Sequence, residues 1–294
     1  MLGLIKSLCI RIQNLKVLKD YVQALRSLQS SRLVLDRSKK EQDVYVLGNG
    51  PSLKRDIHTL LQLGHTRFVC VNNFCESSFY SLLKPSFYVL TDPAYWDDAP
   101  SLSFAEEIQR TLIALKATDW PLTLFLPDRA KQSALVRGLL SHEFVSLRFL
   151  NLRPSVGVPH FAHRFFLEKN LLMPFAANVV VAATYVAMNL GYSRVVLYGV
   201  DHTWFNQLYV DQYNIPRFSS SHFSRAEDAG SKGIAVYKDP KETQPFSMAE
   251  LFEGYGCLFR AYEELAVYAG YFGVHVVNAC PESAIDAFVR DGVL

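Results

Sequence analysis

Asparagine, aspartate, histidine and serine gather in this 294-residue chain at the ends of short apolar runs. Residues 44–47 lead into Gly48-Asn49-Gly50-Pro51-Ser52, and residues 67–71 into Asn72-Asn73. Residues 86–90 lead into Thr91-Asp92, and residues 194–198 into Gly199-Val200-Asp201-His202-Thr203. Asparagine carries both a donor and an acceptor, as reading a ribose or a pyrimidine edge requires. An acid beside a histidine at the end of a strand is the pattern of a site that moves protons. Gly48 and Gly50 tolerate a tight turn, Pro51 presets a first helical turn, and Ser52 or Asn49 can cap it. A helix start of that kind turns its N–H groups and positive dipole end toward a phosphate. Each cluster also has a plainer reading as a turn or a cap. Their convergence argues for a site, because three consecutive strand ends would bring Asn49, Asn72-Asn73 and Asp92 to one edge.

The elements that must position these residues alternate between strand and helix. Strands are expected over 44–47, 67–71, 86–90, 122–126, 144–152, 194–198 and 274–277. Helices are expected over 54–63, 104–115, 131–140, 178–190, 248–271 and 284–289. That rhythm predicts an α/β fold, a single doubly wound, mostly parallel Rossmann-like sheet whose ligands sit at the carboxyl ends of the strands. Residues 205–245 break it, being polar and rich in aromatics and glycine, and read as an inserted lid over a domain spanning 43–294. His222 lies in this stretch. His160 and His163 have no nearby carboxylate in sequence and read as ordinary core or surface histidines.

Residues 1–42 read as a basic amphipathic helical arm. Residues 1–40 hold nine Lys/Arg and two Asp/Glu, a net of +7 within a chain of net +2. Its apolar stripe would pack on the domain, on another subunit of a homo-oligomer, or on an anionic membrane surface. The balanced charge of the whole gives no reason to expect nucleic acid as a partner. Five scattered cysteines without a CxxC pair fit reduced thiols. No apolar run is long enough to span a bilayer, and the start lacks the features of a signal peptide. The expected location is the cytoplasm, with the arm as a peripheral contact on the inner membrane.

A third glycine after Gly50 and an acid at the end of the second strand are both missing, which disfavours NAD. The P-loop pattern is missing too. No carboxylate pair stands at metal-binding spacing near a histidine cluster, so no obligatory metal or other cofactor is expected.

Several stretches together resemble the bacterial sialyltransferases of glycosyltransferase family 42 and the related MptE-like domains of unknown function 115. They are Gly48-Asn-Gly-Pro-Ser-Leu53, Asn72-Asn73-Phe74, Asp92-Pro93, residues 190–201 and Cys280-Pro-Glu-Ser283. The resemblance covers roughly residues 43–290. It implies a GT-A-like variant of the Rossmann sheet and a metal-independent inverting transferase. Such an enzyme moves a sialic acid-like or Kdo-like sugar from a CMP donor to a glycan or glycolipid acceptor. On that pattern Gly48 to Ser52, Asn72, Asn73 and Asp92 would hold the nucleotide. Asn178 would stand at the start of the helix where the family has Ser-Gly. Tyr209 falls where a lid tyrosine neutralises the leaving phosphate; the partner tyrosine position falls on Thr203. His222 or His202, the latter beside Asp201, would be the general base. The alternatives are an MptE-like pterin diphosphokinase using ATP and Mg²⁺, and a nucleotide-binding module without chemistry.

Overall fold

A computed structural model describes residues 33–38, 40–64, 67–96, 105–155, 160–219, 233–238, 241 and 243–290, with only the backbone at 160 and 161. The expected arm (1–32 of it) and His222 lie outside the described residues.

The chain begins its sheet with β1 (Lys40–Leu47), followed by α1 (Leu53–Leu61), β2 (Arg67–Val71), α2 (Phe79–Leu83) and β3 (Phe87–Val89). Then come α3 (Ala105–Lys116), β4 (Leu122–Pro127), α4 (Ala134–Leu139), β5 (Val145–Leu150) and α5 (His160–Glu168). The chain then returns through α6 (Val179–Asn189) to β6 (Tyr192–Tyr198). After an excursion it closes with α7 (Met248–Phe272) and β10 (His275–Asn278). The seven strands lie in the order β10-β6-β1-β2-β3-β4-β5, and every pairing is parallel.

Both faces of this sheet are covered, which is why its strands read as continuous apolar runs. Alternate side chains enter two cores: Val44 and Val46 join α6 and α7 on one face, Tyr45 and Leu47 join α1 and α3 on the other. All eleven residues of α6 are buried. Asn189, near its end, accepts a hydrogen bond from Tyr268 of α7 at 2.6 Å, which ties the two helices together. Ser247 and Glu250 form a reciprocal capping box at the start of α7, and Gly273 ends it in the left-handed region.

Three segments depart from the sequence expectation. β1 starts at Lys40 because its polar first residues pair with β6; the main-chain N–H of Lys40 also bonds Gly191. Residues 35–37 dock as well, with Leu35 and Asp36 bonding to the main chain of Glu168 and Asn189, and Arg37 pairing with Glu168. Within 205–245 the chain forms a small antiparallel sheet, β7 (Leu208–Val210), β8 (Pro216–Phe218) and β9 (Ile234–Ala235). The helix expected over 284–289 is absent. There the Ser283 hydroxyl accepts from the N–H of Ile285, and Val289 pairs with the last strand, its carbonyl taking the N–H of Asn278 at 2.9 Å. Among the described residues no helix is long and apolar enough to cross a membrane.

Candidate functional site

Strand order reverses between β1 and β6, and a ligand crevice in an open α/β sheet opens at such a switch point. The two strands leave the sheet through glycines whose backbones touch. A Cβ on Gly48 would lie 2.4 Å from the carbonyl oxygen of Gly199, and one on Gly199 would lie 2.6 Å from that of Gly48. Gly199 also holds φ +64, in the left-handed region. Gly50 is constrained by a side chain as well as by backbone: a Cβ there would meet Asp201 Oδ2 at 1.9 Å and the Gly199 carbonyl oxygen at 2.7 Å.

Asp201 is 7% exposed, and its carboxylate accepts the Ser52 hydroxyl at 2.9 Å. The Ser52 N–H lies 3.4 Å from the same oxygen. An internal carboxylate therefore sits at the start of α1, where the dipole favours an anion. The segment Cys280 to Ala284 braces this turn from behind. Cys280 Sγ accepts the N–H of Val200, the Ser283 hydroxyl donates to the Val200 carbonyl, and the Ala284 N–H bonds the Asp201 carbonyl.

In front of the turn lies a cleft of about 430 Å³. One wall is Asn49, Asn72 and Asn73; a second is Asn178, Val179 and Val180 at the start of α6. A third is Asp201, His202, Thr203 and Trp204, with Phe218, Ser219, Ile234 and Val236 arriving from the small sheet and Tyr255 from α7. The Asn49 amide nitrogen donates to the Val71 carbonyl at 3.2 Å and to Asn73 Oδ1 at 2.7 Å. A main-chain carbonyl only accepts, so this contact fixes which end of the carboxamide is nitrogen. Asn49 Oδ1 is then left buried without a partner, as is Oδ1 of Asn72. Asn72 is held at φ +49, with its carbonyl accepting from the Tyr88 hydroxyl at 2.6 Å. Asn178 caps α6, its Oδ1 accepting from the Val180 N–H at 2.8 Å.

His202 is 3% exposed and sits at φ +54. Its Nε2 lies 2.7 Å from the Tyr262 hydroxyl, and its ring packs on Trp204 with centroids 4.5 Å apart. Burial pushes its pKa down to about 3 and holds the Tyr262 phenol well above its usual range, so both groups are neutral near pH 7.

The structure thus brings Asn49, Gly50, Pro51, Asn72, Asn73, Asn178, Asp201, His202 and Thr203 to one cleft. Gly48 and Ser52 lie outside its lining and shape the turn behind it. Asp92 is exposed at the end of β3, where it caps a short 3₁₀ turn by accepting the Ala94 N–H at 2.9 Å. The Tyr209 hydroxyl accepts the Gly233 N–H at 3.0 Å and braces the small sheet. Sequence reasoning missed Tyr255, Gln207, Glu107 and the residues of the small sheet that line the cleft. The placement of Gly254 and Gly256 on either side of Tyr255 inside a helix was the available signal. Among the described lining residues there is no lysine or arginine. Among the described residues no three His, Cys, Asp or Glu side chains are grouped to hold a metal ion.

No family model matches the chain, and no curated protein matches it. The resemblance to family 42 transferases therefore stands on the residues quoted above alone. Among solved structures, the MAf glycosyltransferase from Magnetospirillum magneticum AMB-1 superposes with a TM-score of 0.49 at 12% identity. The match covers 89% of this chain and 35% of that one, and a likeness of this degree carries no functional weight.

Proposed function

We propose that this chain is a glycosyltransferase that takes its sugar, sialic acid-like or Kdo-like, from a CMP donor in the switch-point cleft, without a metal. The observation that carries the reading is the pair of buried, unpartnered carboxamide oxygens of Asn49 and Asn72, two residues that line a cleft without described lysine or arginine. An orphaned buried acceptor is costly, and a ligand donor that meets it recovers that cost. A nucleoside brings such donors in its ribose hydroxyls and, in cytosine, an exocyclic amine. The start of α6, which also lines the cleft, supplies positive dipole to a single phosphate. A triphosphate would call for the cations that the described lining lacks, which weighs against the diphosphokinase reading.

In this reading Thr203 and the first amides of α6 stabilise the departing CMP phosphate. Asp201, turned to Ser52, holds the βα turn rather than moving a proton. His202, with its proton affinity lowered by burial, anchors Trp204, and His222 is the general base that takes the acceptor proton. Asn73 fixes Asn49. Tyr209 and Asp92 support the small sheet and the β3 turn. The acceptor is a surface glycan or glycolipid, and the basic charge of residues 1–40 suits an anionic membrane surface where such acceptors reside.

Thermal unfolding with CMP, CDP, UDP, ADP and ATP, each with and without Mg²⁺, tests the reading. A nucleotide at one hundred times its Kd adds about 2.7 kcal/mol of stability. Stabilisation by CMP without Mg²⁺, lost in Asn49→Leu, is the expected result. Stabilisation by ATP with Mg²⁺ alone would overturn the transferase and favour the diphosphokinase.

A further inference from the structure

Four aromatic rings begin in the cleft and continue out of it. Trp204 and Tyr255 line the cleft, their rings within 17° of parallel and 6.4 Å apart. Phe205 and Phe252, outside the lining, each meet Tyr255 steeply inclined at 6.2 Å. Phe252 is 52% exposed, although it follows an ordinary helical spacing of three to Tyr255 on α7. Exposed aromatic clusters that continue a cleft mark places where a ligand lies.

The chemistry around the rings narrows the occupant. Thr203 lines the cleft next to Trp204, and Asn206 is exposed beside Phe205. A hydrocarbon chain would leave these polar groups unmatched. A pyranose matches both kinds of surface, because its C–H-rich face packs on the electron-rich faces of the rings while its hydroxyls meet an amide and a hydroxyl at the rim. Beside Tyr255 the helix carries Gly254, where a Cβ would meet nothing within 4 Å; at Gly256, on the other side, the Arg260 guanidinium lies close. Packing does not require glycine at 254, and an interior helical glycine is destabilising relative to alanine. Its presence leaves the backbone beside Tyr255 open to close approach.

We propose that Trp204, Phe205, Phe252 and Tyr255 form a saccharide subsite that receives a pyranose by its C–H face. Under the reading above, on which this role rests, that pyranose belongs to the acceptor. Saturation-transfer NMR on the full chain tests it, with methyl β-galactopyranoside, methyl β-glucopyranoside and methyl α-mannopyranoside as probes and CMP-induced thermal shift measured in parallel. At least one pyranoside should receive saturation mainly on the protons of one ring face. Phe252→Ala, which removes an exposed ring and opens no cavity, should weaken that binding about three- to tenfold and leave the CMP shift unchanged. Tyr255→Leu should weaken it at least as much. Absence of saturation for all three sugars on the wild-type chain, or equal binding by wild type and both variants, would overturn the subsite. If CMP fails to stabilise the chain while pyranoside binding still depends on Phe252, the nucleotide reading falls and the saccharide site stands.

Discussion

The burial of His202 has a consequence that pH will read directly. Its imidazole lies between Trp204 and Tyr262, neither of which offers a compensating negative charge, and the adjacent Asp201 carboxylate is turned to Ser52. Desolvation lowers its pKa from 6.5 in the unfolded chain to about 3 in the fold. The folded value is the lower one, so the unfolded state binds the extra proton in the window between the two. Stability is then unaffected by this group above pH 6.5 and falls by about 1.4 kcal/mol per unit as the pH drops through that window. At pH 5, one and a half units into it, the loss is about 2 kcal/mol. His202→Asn removes the titration and keeps a residue that tolerates φ +54. Urea unfolding of both chains at pH 5, 6, 7 and 8 isolates the effect, because every other titrating group is common to the two. The variant should be the weaker at pH 8, having lost ring packing and the Tyr262 bond. Its deficit should shrink by about 2 kcal/mol at pH 5. A deficit independent of pH would refute the argument, since it would mean that the imidazole charges as readily in the fold as outside it.

Two glycines predict opposite outcomes. Gly50→Ala places a Cβ 1.9 Å from Asp201 Oδ2 and 2.7 Å from the Gly199 carbonyl, which belongs to the backbone and cannot step aside. Displacing the carboxylate from Ser52 forfeits a charge-assisted hydrogen bond worth about 1.5–3 kcal/mol, and the backbone overlap adds to that loss. Denaturant unfolding should show a loss of roughly 3 kcal/mol or more, with Gly64→Ala as the control. Gly64 has φ +66 and open space around its would-be Cβ, so only backbone strain of about 1 kcal/mol applies there. In the other direction, Gly254→Ala should raise stability by about 0.5–1 kcal/mol, seen as a melting point about 1–4 °C higher. A drop in melting point would show that the helix needs the glycine after all.

The sheet was legible because a parallel strand buried on both faces writes a local signal. β2 was expected over the five residues it occupies, and β4 and β6 differ only at their ends. The ends that failed are those fixed by hydrogen bonds to other segments of the chain. Lys40 extends β1 through Gly191, and Val289 is held by Asn278, so a polar stretch became strand and an apparent helix did not form. The small sheet of β7 to β9 escaped notice for a related reason. Its strands are two or three residues long and partly exposed, with no apolar alternation to announce them. His163 belongs with these cases. No carboxylate lies near it in sequence, yet its Nε2 meets Glu264 of α7 at 2.7 Å.

The candidate site repeats that division, and the way it does so bears on what the cleft can hold. Reading along the chain places a phosphate at α1, because α1 follows the Gly48–Gly50 turn directly. The fold instead delivers Asp201 to that helix start from 149 residues away and uses the dipole of α1 on an internal anion. The start of α6 also lines the cleft, and nothing in the turn sequence points to it. Asn49 and Asn72 line the same cleft as the start of α6. A ligand that satisfies both walls must carry donors at one end and negative charge at the other. Under the proposed reading, a nucleoside monophosphate has that polarity, and its base and ribose would lie at the asparagines and its phosphate at α6. Its sugar substituent would then leave the phosphate toward Trp204 and Tyr255, the side of the cleft on which the aromatic rings begin.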